Sequence, residues 1–89
     1  MKAEYLPAFL KDFKRLRGSN AFARIKVFAF DEALAAPDIR SMAGVKRLSG
    51  ADDAYRVRIG DYRVGFLVRG DALIFARVLH RREIYRYFP

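Results

Sequence analysis

The chain has 89 residues, no cysteine and one histidine, His80. That length fills one domain, residues 1–89, which buries only about 60% of its unfolded surface, and the missing cysteines exclude disulfide scaffolds, thiolate zinc modules and a cysteine nucleophile. With 18 Lys and Arg against 10 Asp and Glu, the net charge of +8 points to a polyanion or an acidic protein partner.

A single histidine rules out a His-pair metal site, and no metal or cofactor is expected. No apolar run approaches the ~18 residues that a membrane span requires. The N-terminus, Met1 to Leu16, lacks the features of a signal peptide, so a reducing cytoplasmic setting is expected. Eight Phe, five Tyr and 53% hydrophobic residues describe a folded basic domain rather than a disordered tail. Arginine dominates the basic residues, 13 to 5 over lysine, and its planar fork suits bidentate phosphate binding.

Met1 to Tyr5 reads as a short edge strand. Pro7 suits a first helical turn. Leu6, Phe9, Leu10, Phe13 and Leu16 recur at i, i+3, i+4 and i+7, which predicts a helix to Arg17. Gly18 is the expected stop, and Ser19 or Asn20 the expected cap of a second helix. Phe22, Ile25, Phe28, Ala29 and Leu34 form that helix's buried stripe. It ends at Ala36-Pro37. Pro37 to Gly44 reads as a loop with one short helical turn.

The period then changes from 3.6 to 2. Val45 to Leu48 is a short strand. Tyr55-Arg56-Val57-Arg58-Ile59 alternates strictly, Gly60-Asp61 is a two-residue turn, and Tyr62 to Val68 returns. Gly70-Asp71 marks a second turn before an apolar strand, Ala72 to Leu79. His80 to Phe88 is a basic, aromatic helical tail. The expected fold is α+β, ordered β-α-α-β-β-β, with the two-helix hairpin on one face of a mainly antiparallel sheet and a short C-terminal helical turn. Arg69-Gly70-Asp71 is turn chemistry. The glycines form no phosphate-cradling pattern.

The hairpin register decides where the arginines go. A Gly60-Asp61 loop pairs Ile59 with Tyr62, Arg58 with Arg63, Val57 with Val64, and Arg56 with Gly65. Tyr55, Val57, Ile59, Tyr62, Val64 and Phe66 then face the helices, while Arg56, Arg58 and Arg63 share the open face. Like charges directly opposite destabilise a sheet by roughly 0.2–1 kcal/mol. Asp52, Asp53 or Asp61 are the acids near enough in sequence to neutralise them. Gly65 is expected to leave a gap where a phosphate chain approaches. A two-residue Gly70-Asp71 loop puts His80 on the arginine face and Arg77 on the apolar one; one extra loop residue reverses both. In the tail, Arg81 and Tyr85 are i, i+4 neighbours. His80 and Tyr85 are the proton-transfer candidates, His80 because imidazole is the side chain suited to donating or accepting a proton near neutral pH and Tyr85 because positive charge favours the ionised form of a phenol. Glu83 is expected to pair with Arg82, Arg86 or a backbone amide.

These residues resemble the RelE/ParE superfamily of toxins from type II toxin–antitoxin modules. The resemblance covers nearly the whole chain. It is carried by the hairpin after a first short strand, by Lys46-Arg47-Leu48-Ser49-Gly50, by Tyr55 to Val64, and by His80-Arg81-Arg82-Glu83-Ile84-Tyr85. It implies a toxin, in the RelE-like branch a ribosome-dependent endoribonuclease (an mRNA interferase) that cuts mRNA in the ribosomal A site and inhibits translation. Carried over by motif, the catalytic set is Arg58, Arg63, Arg81 and Tyr85, with His80 as a second proton acceptor. Arg56, Lys46, Arg47 and Arg82 are the expected RNA phosphate contacts. RelE-like members often carry lysine where this chain has Arg56 and Arg58. Arginine stays protonated, so these two stabilise charge but supply no base. The Arg81–Tyr85 spacing is also shorter than in some members. The alternatives are a ParE-like inhibitor of DNA gyrase, in the manner of plasmid-stabilisation toxins, and a degenerate toxin that only binds its antitoxin. All imply an acidic antitoxin, with operator DNA met only through that complex.

Overall fold

A computed structural model describes all residues, 1–89. Strand β1 (Lys2–Tyr5) leads into helix α1 (Pro7–Arg15). Helix α2 (Phe22–Val27), a π-helical turn (Phe28–Glu32) and α3 (Ala33–Ala35) follow one another without a break. A 3₁₀ turn (Ile39–Ser41) precedes β2 (Val45–Arg47), β3 (Ala54–Ile59), β4 (Tyr62–Arg69) and β5 (Ala72–His80), and α4 (Ile84–Tyr87) closes the chain. The sheet runs β1-β5-β4-β3-β2, antiparallel except where β1 lies parallel to β5. This is the expected α+β layer pair, with the first strand brought beside the last.

The helical hairpin covers one sheet face. Phe9, Ile25, Phe28, Ala29 and Ala33 meet Val57, Ile59, Val64, Phe66, Leu73, Phe75 and Val78 in the main core. Neighbouring rings pack throughout, with Phe66 and Phe75 5.6 Å apart and Tyr5 stacked on Phe75 at 5.3 Å. A second, smaller core lies on the opposite face, where Ala54, Ala76, Ile84 and Phe88 pack with Leu48, Ala51, Leu67 and Leu79.

Local chemistry differs from expectation at the helix ends. Helix α1 stops at Arg15, two residues early, and Gly18 does not take a left-handed conformation. The chain leaves instead through tight turns, with the amides of Leu16, Arg17 and Ser19 bonded to the carbonyls of Phe13, Lys14 and Leu16. Neither Ser19 nor Asn20 caps α2; Ala21 holds that position without a side-chain bond. Leu34 is 48% exposed and Ala33 is buried in its place. The π-helical turn widens the spiral and carries the stripe from Ala29 to Ala33.

The β3–β4 register is the expected one: Arg58 opposite Arg63, Arg56 opposite Gly65, Ile59 opposite Tyr62. Gly60 supplies the positive φ of 58° that the two-residue turn needs. The β4–β5 loop is also two residues, since Arg69 pairs with Ala72. Ala76, however, is a bulge: Phe66 pairs with Phe75 and Gly65 with Arg77. The extra residue reverses the alternation from there on. His80, opposite Tyr62, therefore falls on the helix side, and Arg77, opposite Gly65, on the arginine side.

Candidate active site

The second sheet face is built from the alternate residues of three strands. By register it carries Lys46 from β2, Arg56 and Arg58 from β3, and Arg63 from β4. At its far end Ala54 and Leu67 close it with the small core. The charged half lies toward the Gly60-Asp61 turn, where Arg81 follows β5 and its amide bonds the Asp61 carbonyl at 2.7 Å.

Arg63 is the centre of this half. It is only 7% exposed, lying between Arg58 on one neighbouring strand and Leu79 on the other. Its Nη1 donates to the carbonyls of Gly60 (3.0 Å) and Tyr62 (2.9 Å). No carboxylate reaches it. Burial, and then the positive charges of Arg58, Arg56 and Arg81, weaken its hold on its proton, while Tyr85 acts the other way. The same balance places Arg56, Arg58, Arg81 and Tyr85 within electrostatic reach of one guanidinium. Tyr85 is 57% exposed. Arg56 brings an Nε that is buried without an acceptor.

The three neighbouring acids are engaged elsewhere. Asp52 pairs with Arg47 at 2.9 Å, Asp53 with Arg69 at 3.2 Å, and Asp61 loosely with Arg81 at 3.9 Å. Arg56, Arg58 and Arg63 form no ion pair. A cluster of guanidiniums without counter-charge, one of them buried, binds an anion with full effect, because its field is not already cancelled.

Three sequence-derived assignments change. His80 lies beside Tyr62 with ring centroids 5.7 Å apart, and its Nδ1 accepts from the Arg82 amide. It lines a cleft of about 370 Å³ with Asp12, Arg15 and Glu83, away from the arginine face. Arg47 sits opposite Tyr55, whose ring stacks on Phe66, so it belongs to the helix side of the sheet. Gly65 is not a gap for a ligand: the ring of Phe88 occupies the space above it. Lys46 does join the face, opposite Arg56. Arg82 is exposed in the turn before α4 and forms no ion pair.

Sequence reasoning left the face of Arg77 open and overlooked Asp12, its partner. Asp12 is 3% exposed on α1 and accepts from Arg77 Nε (2.7 Å), Arg77 Nη2 (3.1 Å) and the Val78 amide (3.2 Å). That hydrogen bond tightens Arg77's hold on its proton. The available signal was an acid three residues after Phe9, inside an apolar stripe.

The chain is thus a small basic α+β domain, with a helical hairpin on one face of its sheet and arginines without ion-pair partners on the other, beside the C-terminal helix. Residues 3–85 match the family model of the ParE toxin of the type II toxin–antitoxin system parDE. The chain is 39% identical to toxin RelE3 of Methanocaldococcus jannaschii over an alignment of 90 positions that covers 100% of both proteins. Its fold superposes on a chain of the RelB–RelE antitoxin–toxin complex from Methanococcus jannaschii with a TM-score of 0.78, at 36% identity over 97% of this chain and 99% of the other. The same fold recurs in YafQ from E. coli, with a TM-score of 0.71 over 91% and 93% of the two chains, at 15% identity. The chain belongs to the RelE/ParE superfamily of type II toxin–antitoxin toxins.

Proposed function

We propose that this toxin is a ribosome-dependent mRNA endoribonuclease of the RelE-like branch, acting in the cytoplasm and inhibiting translation. The observation that carries the reading is the set of three guanidiniums without counter-charge, Arg56, Arg58 and Arg63, gathered with Arg81 near an exposed Tyr85.

Such a site needs no protein nucleophile. The 2′-oxygen of the RNA attacks the adjacent phosphorus, and the bond from phosphorus to the 5′-oxygen breaks as that oxygen takes a proton from solvent. The products are a 2′,3′-cyclic phosphate and a 5′-hydroxyl. Arg58, Arg63 and Arg81 stabilise the negative charge that accumulates on the phosphate oxygens, the largest contribution available to such a site. Arg63 contributes most, since it is buried and already positioned by the Gly60 and Tyr62 carbonyls. Arg56 and Lys46 hold the neighbouring phosphates. Tyr85, as its phenolate, takes the 2′-hydroxyl proton, because arginine cannot and His80 faces the other side. Arg82 serves as an outer phosphate contact.

The partner of this toxin in the resting cell is an acidic antitoxin that covers the basic face. The RelB–RelE complex of the archaeal relative supports this, as does the net charge of +8. Operator DNA is met through that complex.

Primer extension on mRNA from cells briefly expressing the toxin tests the reading, with Arg81→Ala as control. Codon-phased 5′ ends that vanish in the control are expected. Intact transcripts with DNA damage would move the assignment to gyrase inhibition, the alternative that the ParE family match keeps open. Intact transcripts in healthy cells would mark a degenerate toxin that only binds its antitoxin.

A further inference from the structure

Helix α4 has four residues and no side-chain N-cap. A helix that short has no stability of its own, since isolated helices are marginal below about 12–15 residues. The place of Tyr85 near Arg63 therefore depends on what its neighbours in and just after α4 grip. Ile84 is buried in the small core on its N-terminal side, and two grips follow it.

The first is Phe88. Its ring lies flat against the backbone of Gly65, and a Cβ at that position would stand 2.5 Å from Phe88 Cδ2 and 2.8 Å from Cε2. Only glycine leaves this socket open. Gly65 is two residues from Arg63 on the same sheet face, so the socket adjoins the anion site. The second grip is Tyr87, whose ring lies 5.1 Å from the Arg77 guanidinium carbon. Arg77 is itself clamped by the buried Asp12 of α1 through both Nε and Nη2. Because β1 pairs only as far as Phe75, the outer edge of β5 is open at Arg77. Asp12 reaches that edge from the helix layer, and Tyr87 covers Arg77 from the other face. A line of contacts thus runs from α1 through β5 to α4.

Building on the ribonuclease reading above, we propose that Phe88 in the Gly65 socket, and Tyr87 on the Asp12-clamped Arg77, are positioning elements that hold the Tyr85 hydroxyl at the arginine cluster. Both belong to the face with the small core, which is separate from the main core under the helices. Helix α4 can shift while the main core stays folded. Proton transfer tolerates little displacement, so loosening α4 acts on turnover far more than on RNA binding, which the strand arginines supply.

The test combines a structural and a kinetic readout on the full-length toxin. Uniform 3-fluorotyrosine labelling gives one ¹⁹F resonance for each of the five tyrosines, and Tyr85→Phe assigns the one at position 85. Gly65→Ala drives Phe88 from its socket, Tyr87→Leu removes the aromatic face from Arg77, and Tyr87→Phe keeps it. In Gly65→Ala and Tyr87→Leu the Tyr85 resonance is expected to move or broaden. On ribosomes programmed with a short mRNA, kcat is expected to fall about 10–100-fold with KM nearly unchanged. Tyr87→Phe should match wild type in both. Should Gly65→Ala fail to fold, the Tyr87→Leu and Tyr87→Phe pair decides. An unmoved Tyr85 resonance, or wild-type kcat in folded Tyr87→Leu, overturns the proposal. If the wild-type toxin cuts no mRNA, the ribonuclease reading falls, and the fluorine spectra alone still decide whether these residues place Tyr85.

Discussion

Removing the charge of Arg58 while keeping the Cβ–Cγ–Cδ stem and a polar end, as in Arg58→Gln, should stabilise the fold and weaken the toxin. Arg58 and Arg63 are direct cross-strand partners, and neither has a carboxylate within ion-pairing distance. A like-charge pair in that position destabilises a sheet by about 0.2–1 kcal/mol. The unfolding entropy of an 89-residue domain is about 0.19 kcal/mol/K, from the usual value per residue, so relief of the pair raises Tm by about 1–5 °C. The gain is electrostatic and therefore depends on salt. With a screening length of about 10 Å at 0.1 M and 3 Å at 1 M, it should be largest in dilute buffer and smaller at 1 M, where salt screens the exposed Arg58 while the buried Arg63 is screened less. Thermal melts followed by circular dichroism at the two salt concentrations measure both effects, and growth arrest on expression measures the loss of toxicity. A lower Tm for the variant, or an increase that does not change with salt, would refute the view that this pair is retained against stability.

Two further outcomes follow from particular contacts. Tyr5 donates to the Ala29 carbonyl at 2.7 Å, and burial, with Asp31 adding to it, raises its pKa. A raised folded-state pKa contributes stability that is complete below the unfolded value near 10 and is lost as pH climbs through the folded one. The Tm advantage of wild type over Tyr5→Phe should therefore be steady near neutral pH and narrow above about pH 10; a constant gap up to pH 11 or so would contradict the assignment. Binding of a non-cleavable 2′-deoxy oligonucleotide should weaken linearly in log salt. Removing Arg56 or Arg58 should reduce the slope by about 0.7 each, as for one phosphate contact on a single strand. Arg47→Ala should leave the slope unchanged, because that side chain is paired with Asp52 on the other side of the sheet.

The elements that were legible in the sequence are those with a strict local rule. The β3–β4 hairpin follows from alternation and a two-residue glycine turn, so its register and both faces could be written down without coordinates. The helical hairpin follows from the spacing of Phe9, Phe13, Ile25 and Phe28. What could not be read depends on long-range packing. The Ala76 bulge has no sequence signature, yet it moves His80 off the arginine face and brings Arg77 onto it. Gly65 was correctly singled out as a close-approach site, but the approaching group is the chain's own Phe88, 23 positions away. The stripe shift from Leu34 to Ala33 comes from a π-helical turn that no periodicity of 3.6 anticipates.

Asp12 and Arg63 are the two charged residues buried in this chain, and they are not partners. A fold shaped for stability alone would set the buried carboxylate against the buried guanidinium, since an uncompensated charge in a poorly hydrated site is destabilising. Here Asp12 is drawn to the open edge of β5, where it satisfies the Val78 amide and clamps Arg77. Arg63 is left with two carbonyls and a ring of like charges. The separation has a consequence for each residue. Asp12 secures the scaffold beneath α4, which carries Tyr85. Arg63 keeps its charge available in a site where water screens it weakly, so that a phosphate, on the proposed reading, meets a guanidinium with no carboxylate of its own. On the proposed reading, an acidic antitoxin supplies from outside the counter-charge that the fold withholds, so neutralisation of the toxin and relief of its internal repulsion are the same event. The complex should accordingly melt well above the free toxin, and the difference should shrink in Arg58→Gln, where part of the repulsion is already gone. An equal difference for variant and wild type would show that the antitoxin stabilises the toxin without meeting this cluster.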